Sequence, residues 1–238
     1  MLAAWGNALL AGTARPGDLV DAVTGDDAPH RVEGSPWGDG GLLEAILVLR
    51  RTGPARLVLP VPGDVRGLPG PDEFRAFALD AGEAVVTPGI GLVPEVISYE
   101  PSSAPPTVTW HAYEIGPVPP DQLDLRQAQY ELTEAIRDTA TALTAADVGG
   151  GSSGVLAGLR DARRAGEDLD LPPDFPSPAA AVIAQTERLQ AFLDLAALDP
   201  AGGAVDRFGM SARASGLRPL ADAVRRARLA AYNATAGP

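Results

Sequence analysis

The chain has 238 residues, no cysteine, two histidines and a formal net charge of −12, with 45% apolar and 21% charged residues. That balance suits a globular protein able to bury one large core or two small ones, and it excludes disulfides, thiolate metal sites and cysteine nucleophiles. All 19 basic residues are arginine, which removes Schiff-base and P-loop lysine chemistry.

The opening "MLAAWGNALLAG" places Leu2, Trp5 and Leu9 at helical spacing and has neither a basic leader nor an A-x-A cleavage pattern. A second short helix is expected over residues 16–23, followed by the turn-rich "TGDDAPHRVEGSPWGDGG". "LLEAILVLRR", residues 42–51, is apolar through most of its circumference and predicts a buried helix, stopped by Gly53 and Pro54. "ARLVLPV" reads as a short buried strand, and "GPDEFRAFALDAG" as a helix entered at Pro71 and closed by Gly82. "EAVV" and "LVPEVIS" are further strands. "TVTWHAYEI" is the clearest strand, with Val108, Trp110 and Ala112 on one face and Thr109, His111 and Tyr113 on the other.

After "GPVPP" the pattern becomes helical. Leu125, Ala128, Leu132, Ile136, Ala140 and Leu143 recur every three or four positions, and "GGGSSG" at 149–154 reads as a connector. Ser177-Pro178 starts another helix, with Val182, Thr186, Leu189, Leu193 and Ala196 on one stripe. A last helix over about 217–232 buries Leu217, Leu220, Val224, Ala227 and Ala231. The expectation is an α/β or α+β fold: a small sheet of about four strands with helices in the first half, and an all-helical second half. Residues 1–118 would form the α/β domain. Residues 119–238 would form a helical region, packing on the sheet or making a separate bundle.

Few constellations carry chemistry. The loop "LPVPGDVRGLPGP" follows a strand; were that strand parallel, the loop would lie where open α/β sheets bind ligands. Gly63 and Gly67 would then let a ligand approach the backbone, with Asp64 and Arg66 as polar contacts and His111 contributing. Against this, the order G-x-G-x-x-G is missing, prolines remove backbone donors, and Asp72 and Glu73 occupy the following helix start. A rigid turn is the preferred reading, with Asp64 satisfying local amides. His30 sits beside Asp26 and Asp27, where a solvated ion pair is expected. No H-E-x-x-H spacing or G-x-S-x-G elbow is present, and the serine pairs at 102–103 and 152–153 fall in linkers. The sequence nominates no catalytic residue, metal ligand or cofactor.

Charge is segregated. Asp124, Glu131, Glu134 and Asp138 share one ridge of the helix over 121–146, and a solvated face is the preferred reading. From Arg207 to Arg228 there are six arginines against one aspartate. Arg218, Arg225 and Arg228 follow one side of the last helix, with Asp222 at pairing distance. They would dock an acidic partner or nucleic acid, unless they pair within the chain; the acidic total disfavours nucleic acid. Asn233 begins an "NAT" glycosylation match, read as chance.

The stretches "LVLPVPGDVRGLPGP", "DAGEAVV" and "LRPLADAVRRARLAAYNA", with "AWGNALLAG" at the start, resemble conserved hypothetical proteins of high-GC actinobacteria over most of the chain. The resemblance implies a bacterial, intracellular setting and transfers no site. With no apolar run of membrane-spanning length, a cytoplasmic protein is expected. Its preferred function is noncatalytic, binding another protein or a second copy as a homodimer. The alternative is an enzyme or small-molecule binder at loop 62–70.

Overall fold

Strict alternation makes Thr107–Glu114 the hub of the sheet: Val108, Trp110 and Ala112 are buried while Thr109, His111 and Tyr113 are partly exposed. In the computed structural model, residues 1–34, 38–98, 104–119, 123–145, 164, 166–167, 169–198 and 207–234 are described. The connector at 149–154 and the serine pairs lie outside them. The chain divides into two compact units. Met1–Gln122, Asp170–Pro176 and Tyr232–Pro238 form the first; Leu123–Leu169 and Ser177–Ala231 form the second.

The first unit holds β1 (Arg31–Gly34), β2 (Gly40–Gly41), β3 (Arg56–Val58), β4 (Ala84–Thr87), β5 (Ile90–Ile97) and β6 (Thr107–Glu114), in sheet order β2-β1-β6-β5-β4-β3. The sheet thus has six strands rather than the expected four. The two extra strands lie in the stretch read as turns, because β1 buries only Val32 and β2 is two glycines, so neither has a period to read. β1 runs parallel to β6, and every other pairing is antiparallel. β3 is therefore an antiparallel edge strand, and the parallel-sheet argument for a ligand crevice beyond it does not hold.

One sheet face carries Val58, Ala84, Val86 and Val93, which pack with Phe74 and Ala78 of α4 (Asp72–Ala81). A Cβ at Gly91 would run into the Phe74 ring, so this glycine lets the ring lie directly on β5. Pro71 caps α4 and Gly82, at φ 74°, ends it with its N–H on the Ala78 carbonyl. The unit also holds α1 (Leu2–Ala11), α2 (Pro16–Thr24) and α3 (Leu42–Thr52), which contact one another.

The free edge of β3 is sealed by two side chains. Asn7 of α1 accepts from the Ala55 N–H and donates to the Ala55 carbonyl, both at 2.8 Å. Two residues on, Asn233 accepts from the Leu57 N–H at 2.8 Å and donates to its carbonyl at 2.9 Å. A primary amide has the same donor and acceptor as a peptide, so each asparagine stands in for a strand residue. An edge that would otherwise template another strand is closed. Asn233, matched by chance to a glycosylation acceptor, is held here.

His30 also departs from its expected solvated pair. It is 7% exposed, because the Trp110 indole donates to its Nδ1 at 3.2 Å while Nε2 faces Asp27 Oδ2 at 3.3 Å. An indole only donates, so the ring proton is assigned to Nε2, toward Asp27.

The second unit holds α5 (Leu125–Ala145), α6 (Ser177–Leu198) and α7, which runs Arg207–Asn233 and ends in the first unit. Ala128, Leu132, Val182, Thr186, Ala196, Leu220, Val224, Ala227 and Ala231 are buried as the periodicity predicts. Thr139, not Ala140, takes the next buried place along α5. α7 begins ten residues before the expected Leu217 and carries Pro219 inside it.

Candidate functional site

Four places carry the residues that matter for function. The first is the proline-rich loop after β3. Val61 and Asp64 exchange backbone hydrogen bonds at 3.0 and 2.8 Å around Pro62 and Gly63, the latter at φ 91°, which is the pattern of a tight turn. Asp64 Oδ1 accepts from the Arg66 N–H and from its Nε, and Oδ2 from Nη2 at 2.7 Å. The guanidinium and carboxylate thus form a closed fork within the loop. Gly67, at φ 76°, lies against Val58, and Gly70 against Ile115.

His111 is the second place. Its register partners are Glu33 on β1 and Val93 on β5. Nε2 lies 2.8 Å from Glu95 Oε2, and the Phe77 ring meets the imidazole edge-on at 5.0 Å. On the same face, burial first and the Glu73 carboxylate second raise the Tyr113 hydroxyl above its ordinary pKa. The loop meets Ile115, just past the end of β6 and four residues beyond His111, about 13 Å along an extended chain.

The arginines of α7 are the third. Arg225 lies 3.9 Å from Asp222, Arg226 3.4 Å from Glu131 of α5, and Arg228 3.2 Å from Glu187 of α6. Arg218 is exposed. Asp124 caps the Gln127 N–H and Glu134 pairs with Arg137. Among the described residues, no cluster of three or more His, Asp or Glu side chains is arranged to hold a metal.

The fourth place is one that periodicity did not single out. α3 was expected to be buried, and its inner arc is: Leu42, Ala45, Ile46 and Leu49 are all covered. Its outer arc is not. Leu43 and Leu47, one turn apart, are each 48% exposed, and Glu44, Arg50 and Arg51 are exposed around them. At 100° per residue these five span about 120°, centred on Leu47. Neither arginine has an ion-pair partner among the described residues. Beside Leu43 opens a groove of about 390 Å³, lined by Val20, Asp21, Thr24, His30 and Leu42. Among the described residues the other exposed large apolar side chains make no such pair along one element: Val96 and Ile97 are successive on a strand and point to opposite faces, while Leu10, Val65 and Tyr130 each have no exposed apolar neighbour on their own segment. The signal was present, since a helix apolar all round must find cover on every side.

A six-stranded mixed sheet flanked by helices, followed by a unit of long helices, defines a two-part α/β and helical protein. Family matches follow the same two parts. Residues 1–125 match the Rv1486c-like protein, N-terminal domain, and residues 126–229 the Rv1486c-like protein, C-terminal domain. The chain belongs to this Rv1486c-like family. It is 31% identical over 273 residues to "Uncharacterized protein Rv1486c" of Mycobacterium tuberculosis, covering 98% of this chain and 95% of the relative. It is 29% identical over 287 residues to "Uncharacterized protein ML1804" of Mycobacterium leprae, with the same coverages. These mycobacterial relatives agree with the actinobacterial resemblance. No solved structure matches the chain. Among the described residues, no helix is long and apolar enough to cross a membrane.

Proposed function

We propose that the protein is a noncatalytic, cytoplasmic interaction protein that docks another protein on the outward face of α3. The observation that carries this reading is the exposure of Leu43 and Leu47 together on one helix face. An apolar pair ringed by charges has the layout of an interface, a greasy centre inside a polar rim. The polar groups nominated elsewhere are engaged: Asp64 with Arg66, His111 with Glu95, and His30 with Trp110 and Asp27. A small-molecule site at loop 62–70 would need the Asp64–Arg66 fork to open. Docking through Arg218, Arg225 and Arg228 would recruit two arginines that already face acids.

A photo-crosslinking amino acid placed at position 47 of the full chain, in the producing bacterium, tests this. The reading expects a discrete protein adduct, stronger than from position 130, where Tyr130 is exposed alone. Adducts no stronger than at position 130 would overturn it and redirect attention to ligands at Asp64 and Arg66.

A further inference from the structure

The charges around Leu47 are arranged so that this face complements itself. Glu44 precedes Leu47 by three residues, and Arg50 follows it by three. Set two copies of α3 antiparallel, with a two-fold axis at Leu47, and position x of one copy lies level with position 94 − x of the other, while residues on the same flank of the seam face each other. Leu47 then meets Leu47, Glu44 meets Arg51, and Leu43 meets the stem of Arg50, in both directions at once. An isologous contact requires this reciprocity.

The groove adds to the match. Its opening lies at Leu43, where Arg50 of the second copy would arrive, and its exposed acid is Asp21. Specific interfaces bury on the order of 800 Å² per partner, more than five helix side chains offer, so the groove must take part. Arg50 reaching Asp21 brings it in, with the arginine stem lying over Leu43. A parallel arrangement would set Arg51 beside Arg50 of the other copy and leave Glu44 against Leu43, and like charges facing across an interface are unfavourable.

We infer that the α3 face pairs with a second copy of this chain, antiparallel about Leu47, with Glu44 and Asp21 of one copy receiving Arg51 and Arg50 of the other. This rests on the docking reading above and names its partner. The nature of the contact is a small apolar centre with charged ends that fix direction. Glu44 already accepts the Gly41 N–H through Oε2 at 2.8 Å, which holds its carboxylate near the start of α3.

Sedimentation of the full chain tests the pairing by charge exchange. Wild type is expected at twice the 24.4 kDa monomer mass. Glu44→Arg alone, and Arg51→Glu alone, are each expected to weaken the dimer at least ~10-fold. An equimolar mixture of the two variants restores it, because each then supplies the charge that the other lacks. Leu47→Glu, which leaves the Glu44 cap intact, is expected to give folded monomer by circular dichroism. Monomeric wild type, a Leu47→Glu dimer as strong as wild type, or a mixture no stronger than its components would each overturn the proposal. Should wild type be monomeric while position 47 crosslinks to a different protein, the homodimer falls and the docking reading stands. Failure at both points removes both.

Discussion

Edge strand β3 and helix α3 are three residues apart in the chain, yet their unsatisfied surfaces are treated in opposite ways. At β3 the exposed groups are backbone N–H and C=O, and two asparagines from opposite ends of the sequence close them with four hydrogen bonds. At α3 the exposed groups are leucine side chains, and nothing in the described residues closes them. The contrast has a physical basis. An open strand edge accepts nearly any extended chain, so it is an aggregation hazard. An apolar helix face ringed by specific charges selects its partner. A protein that associates by a defined surface has reason to seal the first and keep the second.

Removing the seal has the largest expected effect. Asn7→Ala leaves the Ala55 N–H and carbonyl unpaired, and Asn233→Ala does the same at Leu57. Each unsatisfied buried group costs about 1–3 kcal/mol, read as a lower denaturant midpoint with unchanged slope. The double variant should also self-associate through β3, seen as light scattering that Leu47→Glu does not suppress. Asn7→Asp keeps the acceptor for the Ala55 N–H but sets a buried carboxylate oxygen against the Ala55 carbonyl, so its loss at neutral pH should equal or exceed that of Asn7→Ala. A loss smaller than that of Asn7→Ala would mean that the donor half of the mimicry counts for little.

Trp110→Phe comes next. It keeps the ring packing and removes the donor to His30 Nδ1, for an expected loss of about 1 kcal/mol. At α3 the expectation reverses. Measured dilute enough that wild type is monomeric, Leu47→Ser should change stability by less than about 0.5 kcal/mol, as at surface positions, while at higher concentration it abolishes association. A large stability loss would mean that Leu47 is packed within the chain and would erase the contrast. Arg66→Ala removes an exposed ion pair, leaves association unchanged, and should cost between zero and about 1 kcal/mol.

How far the sequence could be read depends on the distance over which each feature is encoded. β6 and α4 were legible because alternation and helix stops are local: Trp110, His111, Pro71 and Gly82 stand where their own neighbours require. β1 and β2 were not, since a strand with one buried valine and a strand of two glycines exist only because β6 is already in place. The seal was invisible for a similar reason. Asn7 and Asn233 are polar residues in helical stretches, 48 and 176 positions from the backbone they cap. The α3 face was half legible. Its apolar circumference was plain, but burial on all sides was assumed, and only the fold shows which arc stays open. At loop 62–70 the charged pair was found by sequence, while the fork joining Asp64 to Arg66 required the turn at Pro62 and Gly63.

The absence of cysteine from the chain makes one measurement especially direct. Helices packed about 8–10 Å apart, each with a Cα radius of about 2.3 Å, bring residues on their shared axis to roughly 4–5 Å. That separation is within the range a disulfide spans. Leu47→Cys should therefore oxidise rapidly to a covalent dimer, far faster than Tyr130→Cys, whose parent residue is more exposed but lies on no such axis. Equal or slower crosslinking at position 47 would contradict the antiparallel α3 pairing.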